Sequence, residues 1–253
     1  MVPKWSSKFE LKPGKWVFVP TEESKATGAK IKAAIQGCWS PPPYYYHLRS
    51  GGHVEAVKSH LGHTTFLHVD IQDFFGSINR SRVTRNLKAK VSYEVAREIA
   101  NASTVRHPDE KSRYIIPYGF VQSQIMAALC LDQSRLGTYL DKVYKSEDVA
   151  LSVYVDDIIV SCNDIDHANT ILDRLNSAAK SAGFTLNPGK QQGPAAEITA
   201  FNILVANASM EIDAQRLAKF VEALAATSSE HEKNGILSYV KSVNVAQSDS
   251  LVA

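Results

Sequence analysis

The sequence predicts an α+β fold in which helices pack on one face of a mostly antiparallel sheet. Three observations predict it. Apolar residues recur at helical spacing through several long segments, the clearest being Asn163–Gly183. Short β-rich runs lie close enough together to pair antiparallel, above all "SVYVDDIIVS" at Ser152–Ser161. The order of these elements is β, α, α, long α, β-hairpin, α, β, β, α, α, which mixes helices with hairpins instead of alternating them strictly.

Each element has its local reason. The cluster "SPPPYYYHLRSGG" (Ser40–Gly52) predicts an extended bend and then a short aromatic strand. Of Tyr44, Tyr45 and Tyr46, at least one is expected in the core, although a tyrosine row also suits base stacking. "TTFLHVDIQDFF" (Thr64–Phe75) begins as a strand. From about Ser77 the pattern turns helical, with Ile78, Val83, Leu87 and Val91 on one face, and a second helix covers about Tyr93–Ser103. Gln122–Val143 reads as one long helix, apolar nearly all round and therefore buried. In Asn163–Gly183, Asp164 suits the N-cap, Ile165, Ala168, Ile171, Leu172, Leu175 and Ala179 form the stripe, and Gly183 closes the C-terminus. Short strands follow at about Phe184–Leu186, Ile198–Val205 and Met210–Ile212, then helices at about Ala214–Ala226 and His231–Asn244.

The chain of 253 residues is 44% hydrophobic and 21% charged, which suits a folded globular core rather than a disordered chain. No apolar run reaches the ~20 residues of a membrane span, and the N-terminus lacks a signal-peptide core. Cys38, Cys130 and Cys162 fit neither a zinc spacing nor a disulfide framework, so a cytoplasmic location is expected. Residues 1–60 carry 9 Lys/Arg against 4 Asp/Glu, and the remainder 19 against 22. The basic first quarter suits a phosphate backbone, and suits a solvated lysine surface equally well.

Asp156 and Asp157 sit between two apolar runs, where a two-residue turn would ordinarily use Asn-Gly or Asp-Gly. Adjacent carboxylates repel, and a local rule broken without local compensation points to function or strain. A divalent cation with oxygen ligands would remove the repulsion; a solvated acidic turn is the plain alternative. A second acidic cluster, "HVDIQDFFGSI", places Asp70 at the end of a strand. If that strand lies beside the hairpin, three carboxylates converge, a set able to hold two metals about 3.5–4 Å apart for in-line phosphoryl transfer.

"YVDD" in a hairpin with "DIQDFFGSI" upstream resembles the palm of a reverse transcriptase. "IPYGFVQSQ" (Ile116–Gln124) stands where that family carries Gly-x-x-x-Ser before a long helix, and "GFTLNPGK" (Gly183–Lys190) is similar to its Gly-hydrophobic-x-hydrophobic-Asn-x-x-Lys segment. "ITAFNILV" falls where the primer-grip hairpin belongs, and "GILSYVKSVN" (Gly235–Asn244) is similar to the first thumb helix of retron-like members. The likeness covers about Thr64–Asn244 and implies a right-hand polymerase fold, with fingers (1–65), an antiparallel-sheet palm (66–213, including finger helices at about 77–117) and a short helical thumb (214–253).

The resemblance implies a reverse transcriptase that adds deoxynucleotides to a 3′-hydroxyl on an RNA template, with Mg²⁺ or Mn²⁺ as cofactor. It implies metal ligation by Asp70, Asp156 and Asp157 and by the backbone carbonyl of Ile71, with Asp157 in a supporting role. Phe75 stands at the steric-gate position that excludes a 2′-hydroxyl; core packing is its plain alternative. Gly119 would let the backbone approach the nucleotide, Tyr118 and Gln122 would line its site, and Lys190 would stabilise or protonate pyrophosphate. Arg49 and Lys58 are the candidate triphosphate cations. Asp73 suits capping or a salt bridge, and His68 a core position. Tyr118 replaces the usual Gln, and Gln124 the usual Pro; with "YYYHLRSGGHVEAVKSH" these are closest to the divergent defence-associated, abortive-infection-like bacterial enzymes. That likeness implies antiphage defence. Partners would be an RNA template or non-coding RNA, deoxynucleotides and DNA product, with a homo-oligomer or second subunit left open and no membrane. Three alternatives are an untemplated or protein-primed polymerase, a non-catalytic RNA-binding scaffold, and an RNA-dependent RNA polymerase. Phe75 argues against the last, and the intact aspartates argue against the scaffold.

Overall fold

The computed structural model describes residues 3–251 and is an α+β arrangement of antiparallel sheets and helices. The chain opens with a hairpin, β1 (Trp5–Lys12) and β2 (Lys15–Pro20), turned at Gly14 with φ +77°. Helix α1 (Glu22–Cys38) starts where Thr21 Oγ1 accepts from the Ser24 N–H, with Glu22 and Glu23 in the first turn to suit its dipole. A 3₁₀ turn (Tyr46–Leu48) and α2 (Gly52–Lys58) lead to β3 (Thr65–Asp70), buried at all six positions. Next come α3 (Phe74–Ser77), α4 (Arg80–Leu87) and α5 (Tyr93–Ala102), the last two capped by the Asn79 and Ser92 side chains. A short pair, β4 (Val105–Arg106) and β5 (Tyr114–Ile115), precedes α6 (Ser123–Asp132) and α7 (Arg135–Tyr144). The hairpin β6 (Ala150–Tyr154) and β7 (Asp157–Cys162) is followed by α8 (Ile165–Ala182). Strands β8 (Gln192–Ala195), β9 (Glu197–Ala200), β10 (Ile203–Ala206) and β11 (Ser209–Ile212) come next. Helices α9 (Ala214–Ala226), α10 (Glu230–Val243) and α11 (Val245–Ser250) end the described chain.

By internal packing the chain forms two units. The first comprises Met1–Pro43, Ile71–Asp141 and Ser177–Thr185. Phe18, Val105, Ile115 and Phe120 form one of its cores, flanked by Trp5 and Trp16, and α6 is buried along nearly its whole length. The second comprises Tyr44–Asp70, Lys142–Asn176 and Leu186–Ala253. It holds a four-stranded antiparallel sheet in the order β6-β7-β3-β8 and a meander β9-β10-β11. Phe66, Ile159, Ile198, Ile203, Val205, Ile212, Phe220 and Val240 belong to one core that joins sheet, meander and the last helices of this unit.

Several expectations need correction. The single helix over Gln122–Val143 is two helices. The Ser134 hydroxyl donates to Leu131 O (2.6 Å) and accepts from Gly137 N–H (3.1 Å), ending one helix and starting the next. The strand over Ile198–Val205 is a hairpin, because Phe201 and Asn202 both take positive φ (56° and 61°), as a tight two-residue turn requires. Only Leu186 of Phe184–Leu186 takes bridge geometry. The aromatic strand at Tyr44–Tyr46 is instead a turn at Pro43–Tyr44 and a single bridge residue, Tyr45, running into the 3₁₀ turn. Tyr44 and Tyr45 are each 1% exposed, so packing, not base stacking, occupies both rings. Tyr44 O accepts from Val153 N–H, and Tyr45 bridges Val153, so this segment lies along β6.

Candidate active site

The second unit brings its acidic residues together by strand register. β3 and β7 pair antiparallel so that Asp70 stands opposite Asp157, and β6 pairs β7 with Tyr154 opposite the same residue. The turn between β6 and β7 is therefore Val155-Asp156. Oxygen atoms of Asp70, Asp156 and Asp157 all lie within 4.8 Å of one another. Asp70 is only 3% exposed. Burial, then repulsion from Asp157 and Asp70, pushes the Asp156 carboxyl up from 3.8 to about 6. In the absence of a cation the cluster is thus poised to take up a proton near neutrality.

Three neighbours orient the carboxylates. Lys190 Nζ donates to Asp70 Oδ2 at 2.7 Å, and that bond holds the ammonium above its ordinary value. Asn187 donates its backbone N–H to Asp70 O (2.8 Å) and its side-chain amide to Asp70 Oδ1 (3.4 Å). His68 Nε2 donates to Asp157 Oδ1 at 2.8 Å, leaving Nδ1 buried without a partner. Sequence reasoning placed His68 in the core and used Asn187 only as part of a motif. The place of His68 two residues before Asp70, on the same face of β3, is the signal that it could touch the hairpin's carboxylates.

The turn itself is strained and held. Val155 sits at φ +61°, a region that a β-branched residue rarely enters and that costs on the order of 1–3 kcal/mol. Its N–H donates to His47 Nδ1 at 3.0 Å. Burial lowers the His47 ring to about 4, so it stays neutral and keeps that nitrogen as an acceptor. His47 was not legible as a site residue, since 108 positions separate it from the turn it holds.

The remaining candidates are placed as follows. Arg49 lies over the Tyr46 ring, 4.7 Å from its centroid, and Lys58 pairs with Glu55 at 3.0 Å; both belong to the second unit. In the first unit, Phe75 is 5% exposed and its ring lies 4.7 Å from that of Tyr118, over which Lys15 sits at 4.4 Å. Gly119 has φ +101°, and a Cβ there would meet Phe18 O at 2.4 Å, so only glycine fits. Gln122 is 1% exposed; its amide reaches Ser103 Oγ (3.4 Å) and its Oε1 has no partner. Ile71 is fully buried. Asp73 pairs with Arg113 at 2.9 Å. All three cysteines are free, and no helix among the described residues is long and apolar enough to cross a membrane.

A clustered acidic triad at the end of an antiparallel sheet, in a mixed chain of this kind, has the architecture of a right-hand polymerase palm. The family described as reverse transcriptase (RNA-dependent DNA polymerase) matches residues 2–220, and the chain belongs to it. No curated protein sequence matches the chain significantly. Among solved structures it is similar to telomerase from Candida albicans in complex with a fragment of telomeric RNA, at TM-score 0.55 and 11% identity over 91% of this chain and 47% of that one. Telomerase from Candida tropicalis gives 0.52 and 12% over 89% and 44%. The foamy viral protease–reverse transcriptase in complex with double-stranded DNA gives 0.51 and 15% over 91% and 34%. The chain spans between a third and a half of these structures, and the likeness at such identities is one of fold.

Proposed function

We propose that this chain is a reverse transcriptase of the bacterial defence-associated type, extending a 3′-hydroxyl with deoxynucleotides along an RNA template. The observation that carries the reading is the convergence of Asp70, Asp156 and Asp157, imposed by the β3–β7 register. The division into fingers (1–65), palm (66–213) and thumb (214–253) is part of the same reading.

The donor set fits a hard divalent cation: three carboxylates offer only oxygen, and burial and mutual repulsion raise Asp156 even with the Lys190 ammonium on Asp70, a repulsion that a divalent cation would relieve. Asp70 and Asp156 would hold Mg²⁺ or Mn²⁺, with Asp157 supporting and the Ile71 carbonyl completing the shell. Bound there, the cations would supply Lewis-acid activation of the 3′-hydroxyl and charge neutralisation at the leaving pyrophosphate. His68 fixes the Asp157 rotamer, and His47 fixes the turn that presents Asp156. Lys190, held beside the triad by its bond to Asp70, would hold or protonate the leaving pyrophosphate through Nζ. Phe75 would exclude the 2′-hydroxyl, with Tyr118 packed on its ring, and Gly119 would admit the nucleotide close to the backbone. Gln122, Arg49 and Lys58 keep their nucleotide-binding roles as part of the proposal.

The subtype rests on the Tyr118 and Gln124 replacements and on the Tyr44–His60 segment, and the defence role rests on the subtype. The test supplies purified protein with a defined RNA template, a DNA primer, labelled deoxynucleotides and Mg²⁺ or Mn²⁺, and sequences the product. Complementary DNA supports the reading. Product of unrelated sequence means untemplated synthesis, and no product with either metal removes the autonomous enzyme. Protection of a bacterial host against phage, lost with the aspartates, tests the biological role.

A further inference from the structure

A recess of about 770 Å³ lies wholly in the first unit, between α4, α5 and the Ser112–Tyr114 segment. Arg80, Arg85, Lys88, Arg97 and Arg113 line it together with Tyr93 and Tyr114, and no acidic side chain does. Glu110 (2.7 Å) and Asp73 (2.9 Å) neutralise Arg113. The other four cations meet no carboxylate within 4.0 Å among the described residues. Arg85 in the last turn of α4 and Lys88 at its C-cap stand three residues apart, close enough to repel.

A solvated basic face is the plain explanation of exposed lysines, but three features go beyond it. The cations line a concavity, with a volume within the ~300–1,000 Å³ range of ligand sites. Three of the four are arginines, whose planar forks suit phosphate. Neutral partners hold two of them ready. Arg80 stacks 3.2 Å from the Tyr114 ring centroid and donates to Asn101 Oδ1 at 2.9 Å, and Arg97 donates to the Tyr93 hydroxyl at 3.2 Å. The Tyr93 ring is 53% exposed beside these charges.

We propose that this recess binds a single polynucleotide strand, with consecutive phosphates on Arg85, Lys88 and Arg97 and an unstacked base on Tyr93. Cations that track a backbone beside an aromatic face are how unpaired strands are held, whereas a duplex buries its bases. Template RNA and product DNA are two sources of the same phosphodiester chemistry. The inference deepens the polymerase reading by naming a place for its nucleic acid, and it rests on that reading for the strand's origin.

The test is anisotropy of labelled single-stranded RNA, and separately DNA, on the full chain across a salt series. Arg85→Gln/Lys88→Gln/Arg97→Gln is compared with wild type, both checked for equal melting temperature. Three lost phosphate contacts at ~0.7 each should reduce the log Kd–log salt slope by about 2. Tyr93→Ala should weaken binding about 5–150-fold, the range for one stacked base. Unchanged slope and affinity in the triple variant overturn the proposal, as does equally tight binding of duplex RNA or polyglutamate that the same variant abolishes. Wild-type protein that binds the strand but makes no DNA counts against the polymerase reading, not against this site.

Discussion

Replacing Asp156 by Asn should make the metal-free protein more stable. The Asp156 carboxyl titrates near 6 in the fold, above its ordinary 3.8, because burial and then Asp157 and Asp70 disfavour its charge. A carboxyl that binds its proton more tightly folded than unfolded costs stability when ionised. The cost is full above pH 6 and disappears as pH falls from 6 to 3.8. A gap of this size corresponds to about 2–3 kcal/mol, at ~1.4 kcal/mol for each unit. Asn keeps the shape and removes the charge. In EDTA at pH 8 the variant should therefore melt roughly 4–12 °C above wild type for a chain of this size, with the difference gone by pH 4. Saturating Mg²⁺ should raise the wild-type midpoint by mass action and leave the variant nearly unmoved. Thermal melts at pH 8, 6 and 4, with EDTA or Mg²⁺, check all of this. A variant less stable than wild type at pH 8, or a gain unaffected by pH, would refute the argument that the triad is a repulsive cluster awaiting a cation.

Three other outcomes are expected. His60, fully buried with its two ring nitrogens 2.8 Å from Ser152 Oγ and Ser161 Oγ, is pushed down to about 3 by burial and then by His63. Its neutral form is the folded one, so its contribution is whole above pH 6.5 and falls by up to about 1.4 kcal/mol per pH unit below it; urea unfolding of Asp156→Asn, which lacks the opposing carboxyl, measures the slope, and His60→Leu should cost about 1–3 kcal/mol at pH 8 by orphaning the Ser152 hydroxyl, while Ser161 keeps His63 Nδ1 at 2.9 Å. Gly119→Ala should lose about 1–3 kcal/mol in chemical denaturation, given φ +101° and the Phe18 carbonyl at 2.4 Å. Phe75→Val should raise incorporation of ribonucleotides relative to deoxynucleotides in primer extension, and unchanged sugar selectivity would leave Phe75 with only its core role.

Residues that act through neighbours in sequence were legible, and those that act across the fold were not. Helix α9 matches its expected bounds because Asp213 caps it locally, accepting from Arg216 N–H. The hairpin was legible from the apolar runs on either side of Asp156 and Asp157, and the aspartates from the turn rule they break. The N-terminal hairpin β1–β2 was missed, although the Pro13-Gly14 turn between Phe9 and Trp16 marked it. The break in the long helix was hidden because the apolar face continues across it, while a single serine hydroxyl ends one helix and starts the next. The acidic triad was legible as a possibility conditional on register, which only pairing of β3 with β7 supplies. His47 and the Tyr44–Tyr45 packing depend on a segment laid along β6, and no local pattern announces that contact.

The most direct test of the central claim is primer extension on an RNA template by wild type and by Asp156→Asn, with Mg²⁺ titrated and folding verified by melting. The account predicts Mg²⁺-dependent complementary DNA from wild type and a loss of about a thousandfold in a variant that is fully folded, the several kcal/mol of charge stabilisation that a bound cation supplies. Extension retained by the folded variant, or wild-type synthesis indifferent to divalent cations, would contradict it.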